Sequence, residues 1–107
     1  MAGREHGDVV ALSVDLMDRS KISGAIDGVR LVRSVAALAA ADDAAVLVVD
    51  LARVSDMDAL ASLTGERRVI AYGSHVDEEQ LAAAERAGAE ALPRSVFFRR
   101  LSEGTLL

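Results

Sequence analysis

Short apolar runs alternate along the chain with segments that have helical spacing. The runs are rich in β-branched residues, and Gly, Asp or Ser residues bound most of them, which is the pattern of β-strands. Five such runs, each followed by a helical segment, predict a parallel sheet with helices packed on it. The predicted strands are Val9–Val14, Val29–Arg33, Val46–Val49, Arg68–Tyr72 and Ala89–Leu92.

The segments between the strands carry the residue types that begin and end helices. Asp, Ser and Thr side chains cap helix N-termini, and Gly is favoured just past the C-terminus. Asp77 and Gln80 have capping-box spacing before an alanine-rich helix. The last predicted helix is Val96–Leu101. The first four begin at the caps Asp18–Ser20, Ser34, Ser55 and Asp77, and Gly28, Gly65 and Gly88 end three of them.

Two strands indicate the order of the sheet. Val46–Val49 is wholly apolar, as expected of a central parallel strand buried on both faces. Val29–Arg33 alternates apolar with cationic residues, which favours an edge strand. With right-handed crossovers, this predicts a three-layer α/β/α sandwich with five parallel strands in the flavodoxin-like order 2-1-3-4-5. We expect one domain over residues 1–107, with residues 1–7 as a flexible N-terminus.

Composition narrows the function classes. The 107 residues are 51% hydrophobic, enough for one core. The net charge of −5 argues against a nucleic-acid surface, and the chain has no cysteine for thiol catalysis or metal binding. The longest apolar run, Val35–Ala41, is too short to span a membrane, and no secretory signal precedes the first strand. We therefore expect a cytoplasmic protein without nucleic-acid or membrane partners.

Polar side chains follow the strands at the edge of the sheet where such folds bind ligands. Two carboxylates, a hydroxyl and a guanidinium gathered there could hold Mg²⁺ or a phosphoryl group. The candidate pocket at this rim consists of Asp15, Asp18 and Ser20 after the first strand, Asp50 after the third, Ser74 and His75 after the fourth, and Arg94 and Ser95 after the fifth.

Three stretches resemble the receiver domain of two-component response regulators. HVDEEQLAAAERAGAEALPRSVF is similar to the receiver's fourth helix, its following turn and its fifth strand. VLVVDL resembles the strand that carries the phosphoacceptor, and LSVDLMD resembles the first strand with its acidic pair. The resemblance implies that Asp50 stands at the phosphoacceptor position and that Asp15 and Asp50 would be the ligands of Mg²⁺.

The chain also departs from the receiver pattern at the positions that carry phosphorylation chemistry. Only one acid, Asp15, directly follows the first strand, where receivers have two. The switch hydroxyl position aligns with Gly73, with Ser74 displaced by one. The lysine position aligns with Arg94, whose planar fork does not reproduce a lysine point charge, and the following proline aligns with Ser95. These differences predict a pseudo-receiver.

Each rim residue also has a purely structural interpretation. In this interpretation, Asp15 and Asp18 serve as helix caps and nothing more, and Asp50 caps a loop. His75 faces solvent. We expect Arg94 to pair with Asp15 or Asp50, replacing the metal, rather than to bind an anion.

The last helix suggests an interaction face. One of Phe97 and Phe98 can enter the core, and the other, with Leu101 and the terminal leucines, would leave an apolar patch. Receivers commonly use this face to dimerise or bind partners. The alternative is that a short helix packs down and the tail frays.

The favoured hypothesis is a stand-alone pseudo-receiver that acts as a protein-interaction module in bacterial signalling, without standard aspartyl phosphorylation and without a cofactor. Its partner would be another protein or a second copy of the chain. One alternative is a functional phosphoreceiver that uses Asp50 with Mg²⁺. Another is a small anion or ligand binder at Ser74, Arg94 and Ser95. We do not expect an enzyme, because no nucleophile–base pair is evident.

Overall fold

Five parallel strands form one sheet in the order β2-β1-β3-β4-β5, as predicted. The structure, a computed structural model, describes residues 8–65 and 67–107. The predicted flexible N-terminus, residues 1–7, lies outside the described residues. All five residues of the central strand β3 are buried, as its apolar sequence predicts. The strands are β1 Val9–Leu12, β2 Arg30–Val32, β3 Val46–Asp50, β4 Arg68–Gly73 and β5 Glu90–Pro93.

Helices cover both faces of the sheet, which confirms the three-layer sandwich. Alternate residues of each central strand face opposite layers: Leu47 and Val49 belong to one core cluster, and Val46 and Val48 belong to the other. The first cluster packs under α2, α3 and α4, and the second under α1 and α5. The helices are α1 Leu16–Ala25, α2 Val35–Ala39, α3 Met57–Thr64, α4 Glu78–Arg86 and α5 Arg94–Glu103, with a 3-10 turn at Leu51–Arg53.

The first helix begins earlier than its sequence predicts. β1 ends at Leu12 rather than Val14, and Asp15 is the N-cap of α1: its Oδ1 accepts from the backbone N–H groups of Met17 at 2.9 Å and Asp18 at 3.0 Å. The prediction that the Asp18–Ser20 segment caps this helix is therefore wrong. Asp18 instead lies in the first turn of α1, and its side chain is buried.

The other caps are mostly as predicted. Ser34 caps α2 and Asp77 caps α4. Ser55 does not cap α3, because Asp56 accepts a hydrogen bond from the N–H of Asp58 and takes that place. α5 is longer than Val96–Leu101, because Pro93, with its fixed φ, stands at the N-cap and the helix starts at the next residue.

α5 packs as part of the core. Phe97 is completely buried and stacks on Tyr72, with ring centroids 4.4 Å apart, and Leu101 and Leu106 are also buried. Phe98 is half-buried and meets both rings edge-on. Phe97 and Leu101 of the predicted interaction face therefore belong to the core, as the alternative interpretation of a packed last helix has it, and Phe98 remains partly exposed. In the described part of the chain, no helix has both the length and the apolar character to cross a membrane.

Candidate functional site

Asp50 lies at the carboxyl edge of the sheet, where the sequence predicts the site. It ends the central strand, is only 8% exposed, and its Oδ1 accepts from the N–H of Ala52 at 3.0 Å. Burial raises the pKa of the Asp50 carboxyl above its usual range, and the nearby charge of Asp18 adds to this. The hydrogen bond from Ala52 and the charges of Arg94 and Arg53 oppose the rise.

A cavity of about 440 Å³ opens beside Asp50. Of the predicted site residues, Asp50, Ser74, His75 and Arg94 line it together. A larger cavity, of about 720 Å³, lies at the opposite edge of the sheet and is lined by none of the predicted rim residues. We place the candidate site at the smaller cavity, because the chemistry-bearing side chains meet there. Its other lining residues are Ala52, Tyr72, Gly73, Asp77 and Gln80.

Arg94 forms a bidentate ion pair with Asp18. Its Nη1 donates to Asp18 Oδ2 at 2.8 Å, and its Nη2 donates to Asp18 Oδ1. The prediction that Arg94 pairs with Asp15 or Asp50 is wrong. The reason is the early start of α1, which uses Asp15 as the cap and brings Asp18, one turn in, to face α5. The hydrogen bond to Asp18 raises the pKa of Arg94 further above its already high value.

Two residues that the sequence analysis did not single out complete this cluster. The Tyr72 hydroxyl lies 3.3 Å from Ser13 Oγ and 3.5 Å from Asp18 Oδ2, and both Ser13 and Tyr72 are fully buried. Burial is the main reason that the pKa of Tyr72 is raised. Ser13 was hidden inside an overlong predicted strand. Tyr72 could have been found from the sheet register, because it pairs with Asp50 across β3 and β4.

Four predicted rim residues do not line this cavity, and one of them, Asp18, lies behind Arg94. Asp15 is exposed and caps α1. Ser20 lies in a separate groove between α1 and α5, beside Lys21 and Phe98. Ser95 is exposed in the first turn of α5. The predicted pocket is therefore not one site. Asp50, Ser74, His75 and Arg94 lie together around the cavity, and Asp18 is bound to Arg94 behind it.

The carboxylates of this edge do not fit Mg²⁺ in their present arrangement. Mg²⁺ keeps several waters in octahedral geometry and binds to a protein through one or two free carboxylates. Both oxygens of Asp18 are bound to Arg94, and one oxygen of Asp15 caps α1. Within residues 8–65 and 67–107, no group of three His, Cys, Asp or Glu side chains is placed to hold a metal ion.

Comparison with known proteins identifies the fold. No protein-family model matches the chain, and no curated protein sequence matches it. The phosphorylated cyanobacterial phytochrome response regulator RcpA superimposes with a TM-score of 0.74 at 14% identity, covering 94% of this chain and 89% of RcpA. NtrX from Brucella abortus, in complex with ADP, superimposes with a TM-score of 0.73 at 19% identity, covering 94% of this chain. The chain spans only 27% of NtrX. The fold is therefore the flavodoxin-like fold of receiver domains.

Proposed function

We propose that this chain is a pseudo-receiver: a protein-interaction module of bacterial cytoplasmic signalling that works without aspartyl phosphorylation. The observation that carries the proposal is the ion pair between Asp18 and Arg94. Arg94 stands at the position where receivers have a lysine, and its guanidinium is held by Asp18. Asp15, the acid that directly follows the first strand, is used as the cap of α1. The two charges that would prepare Asp50 for phosphorylation are thus engaged elsewhere.

The ion pair is a stable arrangement that competes with metal binding. Asp18 is 1% exposed, and a charge buried to that extent needs a partner. Arg94 supplies it in fork geometry, while its guanidinium lies 4.9 Å from the centroid of Phe98 and 5.7 Å from that of Tyr72. A metal would have to displace this guanidinium to reach both oxygens of Asp18.

Asp50 has a structural role that does not need phosphorylation. Its carboxylate caps the 3-10 turn that follows β3, through the hydrogen bond from Ala52. Ser74 and His75 are exposed in the next connection, and Ser74 Oγ accepts from the N–H of Val76 at 3.3 Å. No base stands against that hydroxyl among the described residues, which supports a binding role rather than an enzymatic one.

Exposed apolar side chains at the same edge support a role in protein contact. Leu16 and Met17, in the first turn of α1, are 78% and 68% exposed, and Val76, after β4, is 76% exposed. They are the most exposed large apolar side chains among the described residues. An interaction surface at the carboxyl edge of the sheet replaces the one expected on α5, and the partner is another protein or a second copy of this chain.

The Mg²⁺ dependence of stability tests the proposal. A ligand that binds only the folded state raises the melting temperature. We expect MgCl₂ to leave the melting temperature unchanged against NaCl of equal ionic strength, in the wild type and in Asp50→Asn alike. A rise in the wild type that is absent in Asp50→Asn would instead indicate a working metal site and favour the phosphoreceiver alternative.

A further inference from the structure

Asp50 has a carboxylate oxygen without a partner. The residue is only 8% exposed, yet its one hydrogen bond in the described part of the chain is from the N–H of Ala52 to Oδ1. No described side chain donates to Oδ2, and Arg94, the arginine that lines the cavity, has both terminal nitrogens on Asp18. Buried polar atoms are almost always hydrogen-bonded. Because Asp50 lines the cavity, its unpaired oxygen can accept a hydrogen bond from a donor outside the chain.

The walls of the cavity offer further acceptors. The Gln80 side-chain amide donates to the carbonyl of Leu51 at 2.9 Å, so its Oε1 remains as an acceptor. Asp77 also lines the cavity, and only its Oδ1 is used, by the N–H of Gln80. Gly73 allows Gln80 and Leu51 to stand close to the chain: a Cβ there would lie 3.2 Å from Leu51 Cδ1 and 3.4 Å from Gln80 Oε1.

The charge of the cavity is negative. Asp50 and Asp77 line it, and Glu78 and Glu79 follow in the first turn of α4. Of the two arginines that act on Asp50, Arg94 is matched by Asp18, and Arg53 does not line the cavity. Burial disfavours the ionised form of Asp50 and raises its pKa, which a bound positive charge would reverse. The same charges repel anions, which argues against an anion site at this cavity.

We propose that this cavity binds a guanidinium or ammonium group, presented by an arginine or lysine side chain of a partner protein. Such a group carries the missing positive charge and several N–H donors for Asp50, Gln80 and Asp77. Val76, exposed two residues after Ser74, gives the flanking residues of the partner an apolar contact. The protein source of the cation rests on the proposed function, whereas the recognition of the cation rests on the cavity alone.

An NMR titration with N-acetyl-arginine amide tests cation recognition, with N-acetyl-citrulline amide as the neutral probe of nearly identical shape. We expect saturable shifts of the backbone amides of Gly73, Ser74 and His75 with the arginine probe only. Asp50→Asn should weaken the binding about tenfold, the loss of one hydrogen bond to a charged group. Asp56→Asn is the matched control, because Asp56 also caps a turn through the N–H two residues on but is exposed and outside the cavity.

Equal shifts with both probes, no saturation, or equal binding by Asp50→Asn and the wild type would overturn the inference. Gly73→Ala provides a second variant: its methyl group would press on Leu51 and on the Gln80 acceptor, and should also weaken binding of the arginine probe. A longer peptide with apolar residues beside the arginine distinguishes the source. It should bind more tightly than N-acetyl-arginine amide. Equal affinity of the two would overturn the inference that the cation comes from a partner protein. None of these outcomes depends on Mg²⁺, so they are separable from the test of the proposed function.

Discussion

Asp18 and Arg94 are 76 residues apart in the sequence and form a two-point ion pair at the carboxyl edge of the sheet. The pair joins α1 to the first residue of α5 on the same face of the sheet. Asp18 is almost completely buried, whereas the side chain of Arg94 is 48% exposed. The pair therefore serves two purposes: it neutralises a buried acid, and it holds the two helices that border the candidate site.

Removal of Arg94 should destabilise the fold more than removal of the α1 cap. Arg94→Ala leaves the Asp18 carboxylate buried without a counter-charge, and we expect a loss of about 2 kcal/mol, reduced from the fully buried case because Arg94 is half in solvent. Asp15→Ala removes only a helix cap and should cost about 1 kcal/mol. Urea unfolding measures both. A stability of Arg94→Ala equal to that of the wild type would show that the pair contributes nothing.

Asp50→Asn should stabilise the protein at neutral pH. The pKa of Asp50 is raised in the folded state above its unfolded value of about 3.9. The contribution of the Asp50 carboxyl to the free energy of unfolding is therefore at its full value below about pH 3.9. It is lost as the pH rises through the pKa of the folded state. We expect Asp50→Asn to gain about 1 kcal/mol at neutral pH and nothing at the acidic end.

Urea unfolding at several pH values measures this gain, and the exposed cap variant Asp56→Asn is the control for the loss of a charge. A destabilised Asp50→Asn at neutral pH would mean that the ionised carboxylate has a partner, and the interpretation of the cavity would be wrong.

Tyr72 should resist ionisation in the folded protein. It is the only tyrosine of the chain, so the absorbance of tyrosinate reports on it alone. Its pKa is raised, mainly by burial, above the unfolded value of about 10. The contribution of the Tyr72 hydroxyl to the free energy of unfolding should be at its full value below about pH 10 and should decrease as the pH rises further. The free energy of unfolding of Tyr72→Phe should not show this decrease. At neutral pH we expect Tyr72→Phe to cost about 1 kcal/mol for its hydroxyl hydrogen bond. Titration near pH 10 with the fold intact would contradict the burial of this hydroxyl.

The β-strand pattern was sufficient to predict the sheet, but the pairing of charges at its edge was not. The wholly apolar β3 and the alternating β2 indicate the centre and the edge of the sheet, because burial on one or two faces leaves a trace in local sequence. The partner of Arg94 depends on whether α1 begins at Leu16 or one turn later. Asp15 and Asp18 are both good caps in sequence, and only tertiary packing decides between them.

The sequence left two interpretations of α5 open, an interaction face and a helix packed on the core. A helix with two adjacent phenylalanines can bury one or both, depending on which partners the neighbouring strand provides. Here Tyr72 of β4 stacks on Phe97, and Phe98 packs edge-on against both rings. The pair of phenylalanines therefore stabilises the core rather than an interface.

Phe97→Ala should consequently affect folding and not partner binding alone. The side chain is completely buried, and its loss should cost about 3 to 5 kcal/mol. Phe98→Ala removes a half-buried ring and should cost clearly less. Thermal unfolding of the two variants measures the difference, and an unchanged melting temperature for Phe97→Ala would restore α5 as an interaction face.

The intact mass of the protein after incubation with acetyl phosphate and Mg²⁺ tests the central claim most directly. Asp50→Asn is the control, because it removes the carboxylate at the phosphoacceptor position while it keeps an oxygen to cap the following turn. We predict the unmodified mass for both folded proteins. A phosphoryl adduct on the wild type that is absent from Asp50→Asn would contradict the account and identify the chain as a working phosphoreceiver.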